Sequence, residues 1–387
     1  MQPGEGSRAD LYVRVAALAV LGVVIGMARE RFLAGKDAAL CDATLILMPL
    51  AAFATQALHY RLAITAALAD TLAACWATLC LAVLTFPLAW ARGLAALGVY
   101  VLVAWIWATR TRREIMVRPE RALRHYLQHA GALAGVVSVG AAAALGAVPA
   151  GLGQTRSWIL AAWVCAMLCL LTSKKAPCPA APIDRAAAGI WACVASQPQA
   201  SMLFAVEGAA NAAGFILTLG YLGMRRVDLA GVAGVIVAVQ LGGAGLQLAL
   251  KGVVARNYRS LVVCAAGGVV LLGVLMATAP LGAWAVLAAA TLVGALVDQV
   301  EPARLRAALA RMQSHDSPPG RLDANVVLGR ELALMLGRVA AISTLLLVAS
   351  RSWALALVLA SAVIAAEAWL LLRVLASPAP NMPEAIA

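Results

Sequence analysis

The chain has 387 residues, of which 63% are hydrophobic and only 12% are charged, and its mean hydropathy is +0.89. A soluble domain is about half apolar and a quarter charged, so this composition excludes a soluble globular protein. The net charge of +12 would suggest nucleic acid in a soluble protein. Here most basic residues lie between apolar segments, where Lys and Arg set membrane topology, and we expect no nucleic-acid partner.

Twelve apolar segments follow one another along the chain, and each is close to the roughly 20 residues that an α-helix needs to cross a bilayer. They predict membrane spans 1 to 12 at residues 11–28, 39–58, 62–85, 88–109, 127–149, 157–172, 200–222, 228–250, 260–279, 281–299, 328–349 and 352–375. The predicted fold class is therefore an all-α integral membrane protein with 12 transmembrane helices.

The charges of the connecting segments predict the orientation of these spans. With both termini cytoplasmic, twenty Lys and Arg residues fall on the cytoplasmic side and seven on the other side. Cytoplasmic loops are enriched in Lys and Arg, so this asymmetry favours cytoplasmic termini. A miscounted span would scramble the separation, so the asymmetry also supports the count of twelve.

The long connections divide the chain into two matching halves. The basic segment 110–126 follows span 4, and the basic segment 300–327 follows span 10, which is the corresponding place in a six-plus-six repeat. The third long connection is rich in proline. We therefore predict an N-terminal six-helix bundle at 1–172, a cytoplasmic linker at 173–199 and a C-terminal six-helix bundle at 200–387.

Three motifs carry a resemblance to the major facilitator superfamily. The string Gly329 to Val339, GRELALMLGRV, resembles the R-E-x-x-L-N-x-G-R-V pattern of a group of bacterial members, with Met335 in place of Asn. The turn at 251–259 resembles the loop signature of the superfamily without its Asp, and the glycine-rich span 5 is similar to the antiporter motif of exporters without its Gly-Pro pair. The chain is accordingly identified as a divergent bacterial member, which implies alternating access between two six-helix bundles.

Polar residues inside spans are costly, and they provide the candidate binding residues. Glu207 in span 7 shares a helix face with Asn211, and the resemblance makes span 7 a cavity-lining helix. Because desolvation favours the protonated form of a carboxyl group, we predict that Glu207 binds a proton or a cationic group of the substrate. A carboxylate satisfied by a neighbouring helix is the alternative. Gln240 and Gln247 share a face of span 8 and would either bind the ligand or join helices.

Glu331 and Arg338 are seven residues apart, about two helical turns, and therefore share one face of span 11. They would pair with each other or hold a gate against a basic loop of the other half. We predict a gating role rather than contact with substrate.

These features predict a secondary transporter, most simply an exporter, for a small organic molecule that is neutral or singly charged. A multiply charged substrate would need paired Arg or Lys residues. The alternatives are a lipid-linked glycan flippase and a non-transporting membrane assembly or partner protein. An enzyme is not expected, because the sequence has no D-D-x-x-D, H-x-x-x-x-D or G-x-S-x-G motif.

The expected partners and location follow from the same reading. We expect a monomer in the lipid bilayer of a bacterial inner membrane, with a small-molecule substrate. No metal site and no cofactor are predicted, although transport coupled to protons is consistent with Glu207.

Overall fold

The structure is a computed structural model, and it describes residues 8–33, 38–62, 66–83, 88–111, 120–148, 152–173, 187–196, 198–224, 260, 262–264, 266–278 and 324–376. The helices within these ranges are α1 (Arg8–Leu33), α2 (Ala38–Arg61), α3 (Ala66–Val83), α4 (Ala89–Arg110), α5 (Glu120–Gly146), α6 (Leu152–Ser173), α7 (Ala187–Ser196), α8 (Pro198–Met224), α9 (Ala324–Ala349) and α10 (Trp353–Ala376). Residues 266–278 are also helical.

The predicted all-helical class is confirmed for the described part of the chain. Spans 1 to 7, 11 and 12 coincide with α1 to α6, α8, α9 and α10, and α7 lies in the predicted linker. Spans 8 and 10 and the segment 300–323 lie outside the described residues. The number of spans and the side on which the termini lie therefore stay predictions.

Four of the described helices are long and apolar enough to cross a membrane, judged by length and composition. They are Asp42–Arg61, Trp90–Thr109, Asn325–Ala349 and Trp353–Leu370. Large apolar side chains also remain on the outside of the helices, among them Leu160, Leu171 and Trp90, each about 60% exposed. A water-soluble surface rarely carries so many of them together, and a lipid-facing surface requires them.

The helices form two compact units. The first contains α1 to α6, apart from the first residues of α5, and the second contains α7, most of α8, the 266–278 helix, α9 and α10. In the first unit α1 and α3 both pack against α4 and α6, and α2 packs against α4. Its core joins Val24, Leu102, Ala142, Trp158 and neighbouring apolar residues.

Small residues set the close contacts inside each unit. In the first unit, a Cβ atom at Gly98 would lie 2.7 Å from the Cys80 Sγ atom, and the Gly98 carbonyl accepts a 2.7 Å hydrogen bond from the Trp76 indole. In the second unit, α9 packs against α7 and α10. A Cβ at Gly273 would overlap the Ser361 side chain, so the 266–278 helix also packs closely against α10.

Candidate functional site

A buried ion-pair cluster joins α8 and α9 in the second unit. Glu207 on α8 is only 4% exposed, and its Oε1 atom accepts a 3.0 Å hydrogen bond from the Nη2 atom of Arg330 on α9. The Nη1 atom of Arg330 donates to the Oε1 atom of Glu331 at 2.7 Å. The Arg330 guanidinium carbon also lies 5.3 Å from the centre of the Phe204 ring. We call Phe204, Glu207, Arg330 and Glu331 the Arg330 cluster.

The helix positions explain how the cluster forms. Phe204 and Glu207 are three residues apart on α8 and so face the same way. Arg330 and Glu331 are adjacent on α9, and the long Arg330 side chain reaches both its neighbour and the facing helix. The guanidinium fork has donors on both sides, which allows one Arg to bind two carboxylates.

Glycines bring the two backbones close enough to enclose the cluster. A Cβ atom at Gly208, beside Glu207, would overlap the carbonyl of Leu334 on α9. A Cβ at Gly337 would overlap the carbonyl of Ala205 on α8. One glycine from each helix therefore makes room for the other helix, and the ion pair is excluded from solvent where they meet.

The cluster holds three ionisable groups away from solvent. Among the described residues, it contains two carboxylates and one guanidinium, all of them about 5% exposed. Buried charges are costly unless they are paired and hydrogen-bonded. A change in the charge of one of these groups would therefore alter how the other two are held.

The structure brings some of the predicted site residues together and separates others. Glu207 and Glu331 share Arg330, so Glu207 is paired with a residue of a neighbouring helix. Asn211 is exposed, although it is one turn from the buried Glu207, and Arg338 is half-buried. Gln240 and Gln247 lie outside the described residues.

Arg330 is the cluster residue that sequence reasoning missed. It stands in the quoted GRELALMLGRV string, immediately before Glu331. A charged pair inside an apolar span signals an internal partner, because neither charge is stable alone in lipid. The signal was present, but the sequence did not show that the partner was Glu207, 123 residues away.

No family model and no curated protein matches the chain in sequence. Solved structures match it in fold. A variant of the nucleoside transporter NupG has a TM-score of 0.66 at 11% identity, covering 94% of this chain and 99% of that one. The human organic anion transporter MFSD10 has a TM-score of 0.62 at 13% identity, with 94% and 97% covered. A variant of the E. coli fucose:proton symporter FucP has a TM-score of 0.57 at 14% identity, with 93% and 98% covered.

These likenesses extend over nearly the whole of each chain and establish the fold. The chain has the same fold as these solved transporters, in agreement with the fold that its resemblance to the major facilitator superfamily implies.

Proposed function

We propose that the chain is a secondary active transporter of a bacterial inner membrane that works by alternating access. The observation that carries this proposal is the buried Arg330 cluster, in which ionisable side chains of α8 and α9 pair with one another, inside a fold shared with solved transporters. Ionisable residues inside the bilayer are expensive and are characteristic of sites that bind ions, protons or substrate.

The proposed architecture has 12 spans in two six-helix bundles, residues 1–172 and 200–387, joined by a cytoplasmic linker at 173–199. The described helices α1 to α6 end at Ser173, and α8 to α10 fall in the second range. The excess of Lys and Arg in alternate connections supports cytoplasmic termini. The proposed transporter is a monomer.

The proposed substrate is a small organic molecule that is neutral or singly charged, and the proposed direction is export. The solved relatives are described as carrying nucleosides, organic anions and fucose, so the fold admits several chemical classes. The chemistry of the Arg330 cluster indicates the charge of the substrate more directly than the fold does. The Arg330 cluster has one cation, and that cation already binds two carboxylates, which does not suit a multiply charged anion.

Glu207 is the proposed proton-binding residue, and Arg330 and Glu331 hold it in place. Protonation of Glu207 would remove its negative charge and weaken its hold on Arg330, which also binds Glu331. One of the solved relatives is itself a fucose:proton symporter. Asn211, Gln240 and Gln247 are proposed to contact substrate, and Glu331 and Arg338 are proposed to act in gating.

The test is transport by the purified full chain in proteoliposomes with an imposed pH gradient. The probes are a nucleoside, fucose, a monovalent organic anion and a lipophilic monocation, each measured with its isotope label and with a pH dye in the lumen. We expect at least one probe to move together with protons. In Glu207→Gln, gradient-driven accumulation should be lost while exchange of labelled for unlabelled substrate continues, because the amide cannot carry a proton.

The matched control is Glu367→Gln, since Glu367 on α10 is also a buried carboxylate at 8% exposure but lies outside the Arg330 cluster. It should retain gradient-driven transport. Full coupling in Glu207→Gln would refute the role of Glu207. If no probe moves with wild-type protein, transport of such molecules is refuted, and the flippase and the assembly partner become the better explanations.

A further inference from the structure

The short helix α7, Ala187–Ser196, contacts α8 and α9 of the second unit near the point where each of them begins. The Val194 carbonyl, close to the end of α7, accepts a 2.9 Å hydrogen bond from the Ser201 hydroxyl in the first turn of α8. Near the start of α7, a Cβ atom at Gly189 would lie 3.0 Å from the side-chain nitrogen of Asn325, the second residue of α9. α7 therefore lies at the end of the second unit where α8 and α9 begin.

One side of α7 is packed and the other is exposed, and both are apolar. Ile190 is only 8% exposed, and α7 packs against α9. Trp191 is 60% exposed, and Ala192 and Ala195 are exposed with it; we call these three residues the Trp191 face. The helix sequence, AAGIWACVAS, contains no charged residue. A helix that faces water carries charged and polar residues on its outer side, so water does not suit the Trp191 face.

The length of α7 excludes a transmembrane position for it. Its ten residues extend over about 15 Å, half of the roughly 30 Å of hydrocarbon in a bilayer. The next helix, α8, begins at Pro198 and corresponds to the predicted span 7, so α7 ends at the edge of the membrane. An apolar surface at this edge fits the boundary between lipid head groups and acyl chains, where tryptophan rings are enriched.

A second tryptophan supports this boundary at the same end of the unit. α10 follows α9 through the short turn at 350–352 and packs against it, so α10 ends where α9 begins. In the last two turns of α10, the guanidinium carbon of Arg373 lies 3.9 Å from the ring centre of Trp369, which is 52% exposed. An exposed tryptophan beside an arginine is typical of the head-group region, because the ring contacts acyl chains and the guanidinium reaches phosphate.

We propose that the Trp191 face of α7 is a lipid-binding surface, which inserts at the boundary of head groups and acyl chains on the side of the membrane where α8 begins. The inference does not depend on transport. It means that the second half of the predicted linker, 173–199, is attached to the bilayer and is not surrounded by water. Because α7 also contacts Asn325, five residues before Arg330, the Trp191 face would tie the start of α9 to the lipid.

The experiment measures the depth of α7 with a nitroxide spin label on Ala195→Cys, which leaves Trp191 in place. The full chain, with its eight native cysteines replaced, is labelled and reconstituted in phosphatidylcholine vesicles. Collisions with oxygen, which concentrates among acyl chains, and with a water-soluble nickel chelate give the depth of the label. Leu160→Cys on α6, at 61% exposure, is the reference for the acyl chains, and Ser350→Cys in an exposed turn is the reference for water.

We expect the label at 195 to lie about 5–10 Å below the phosphates, between the two references. The depth should stay the same when anionic phosphatidylglycerol is added, because the Trp191 face carries no charge. In the same chain, Trp191→Asp should raise the collision rate with the nickel chelate about twofold, because a charged residue is expelled from the boundary. Trp191→Phe is the matched control and should leave the rate unchanged.

Four results would overturn the proposal. They are nickel accessibility equal to that of Ser350→Cys, a depth equal to that of Leu160→Cys, few collisions with either reagent, which would mean that protein covers the face, and spin–spin broadening that disappears on dilution with unlabelled chain, which would mean a second copy.

If the chain without native cysteines does not fold, the native tryptophan decides. The fluorescence of wild type minus that of Trp191→Phe isolates Trp191 among the ten tryptophans. Lipids brominated near the head group should quench this difference more strongly than lipids brominated at the chain ends. Absent quenching, or equal quenching by the two lipids, would refute insertion at the boundary.

Discussion

At the residue scale, one guanidinium binds two buried carboxylates. Arg330 contacts Glu207 at 3.0 Å and Glu331 at 2.7 Å, and water is excluded from all three groups. Removing the guanidinium takes a cation away from both carboxylates, whereas replacing Glu207 by Gln removes one charge and keeps an acceptor for Arg330. The two changes therefore have different electrostatic consequences.

This asymmetry predicts how substitutions in the Arg330 cluster affect stability. Arg330→Met should lower the free energy of unfolding by about 3–5 kcal/mol, because two buried carboxylates lose their cation. Glu207→Gln should change it by less than about 1 kcal/mol, because the amide still accepts from Arg330. Thermal unfolding in detergent measures both. Arg351→Met, on an exposed Arg between α9 and α10, is the control and should match wild type. Equal melting of Arg330→Met and Arg351→Met would contradict the electrostatic account.

The sequence could identify Glu207 but not its partner. A carboxylate inside an apolar span is conspicuous because its insertion is costly, and that cost is visible without any knowledge of contacts. The pairing with Arg330 depends on which faces of α8 and α9 meet, and hydropathy does not specify this. For the same reason the sequence suggested Arg338 or a basic loop of the other half as the partner of Glu331, whereas the structure pairs Glu331 with the adjacent Arg330.

Hydropathy located the helices well at the scale of single elements, and it described their ends less well. The predicted span 5 begins at residue 127, whereas α5 begins at Glu120, because the first turns of that helix carry Arg121, Arg124 and His125. A helix continues past the nonpolar core when its polar end reaches the interface, so polarity marks the edge of the bilayer and not the end of the helix.

The crossing of α8 and α9 makes a prediction at the element scale. Gly208→Ala and Gly337→Ala should each destabilise the protein by about 1–3 kcal/mol, because the new methyl group meets a backbone carbonyl that cannot rotate away. Thermal unfolding in detergent again provides the measurement.

Gly22→Ala and Gly140→Ala are the matched controls, since each glycine is also within a helix but has no atom within 4 Å of the added Cβ. They should be neutral or slightly stabilising, because alanine favours the helix over glycine. If all four alanine variants melted alike, close packing of α8 against α9 would not account for these glycines.

At the scale of the whole molecule, an all-helical membrane fold was predictable because it depends on few physical quantities. The lengths of the apolar runs and the positions of Lys and Arg predicted it, and the chain has the fold of solved transporters. Neither quantity depends on side-chain packing. Substrate choice does depend on it, and relatives at 11% to 14% identity share the fold while their names give different substrates.

The twelve-span topology predicts on which side of the membrane two exposed positions lie. Leu62 follows the end of α2 and Ser350 lies in the turn between α9 and α10. Nine predicted spans separate them, an odd number, so they should lie on opposite sides of the membrane.

Cysteine labelling measures this. In a chain whose eight cysteines are replaced, a membrane-impermeant maleimide should label Ser350→Cys in intact spheroplasts and Leu62→Cys only after permeabilisation. Labelling of both in detergent is the control for reactivity. Labelling from one side in both variants would mean an even number of crossings between them, and the arrangement of twelve spans with cytoplasmic termini would be wrong.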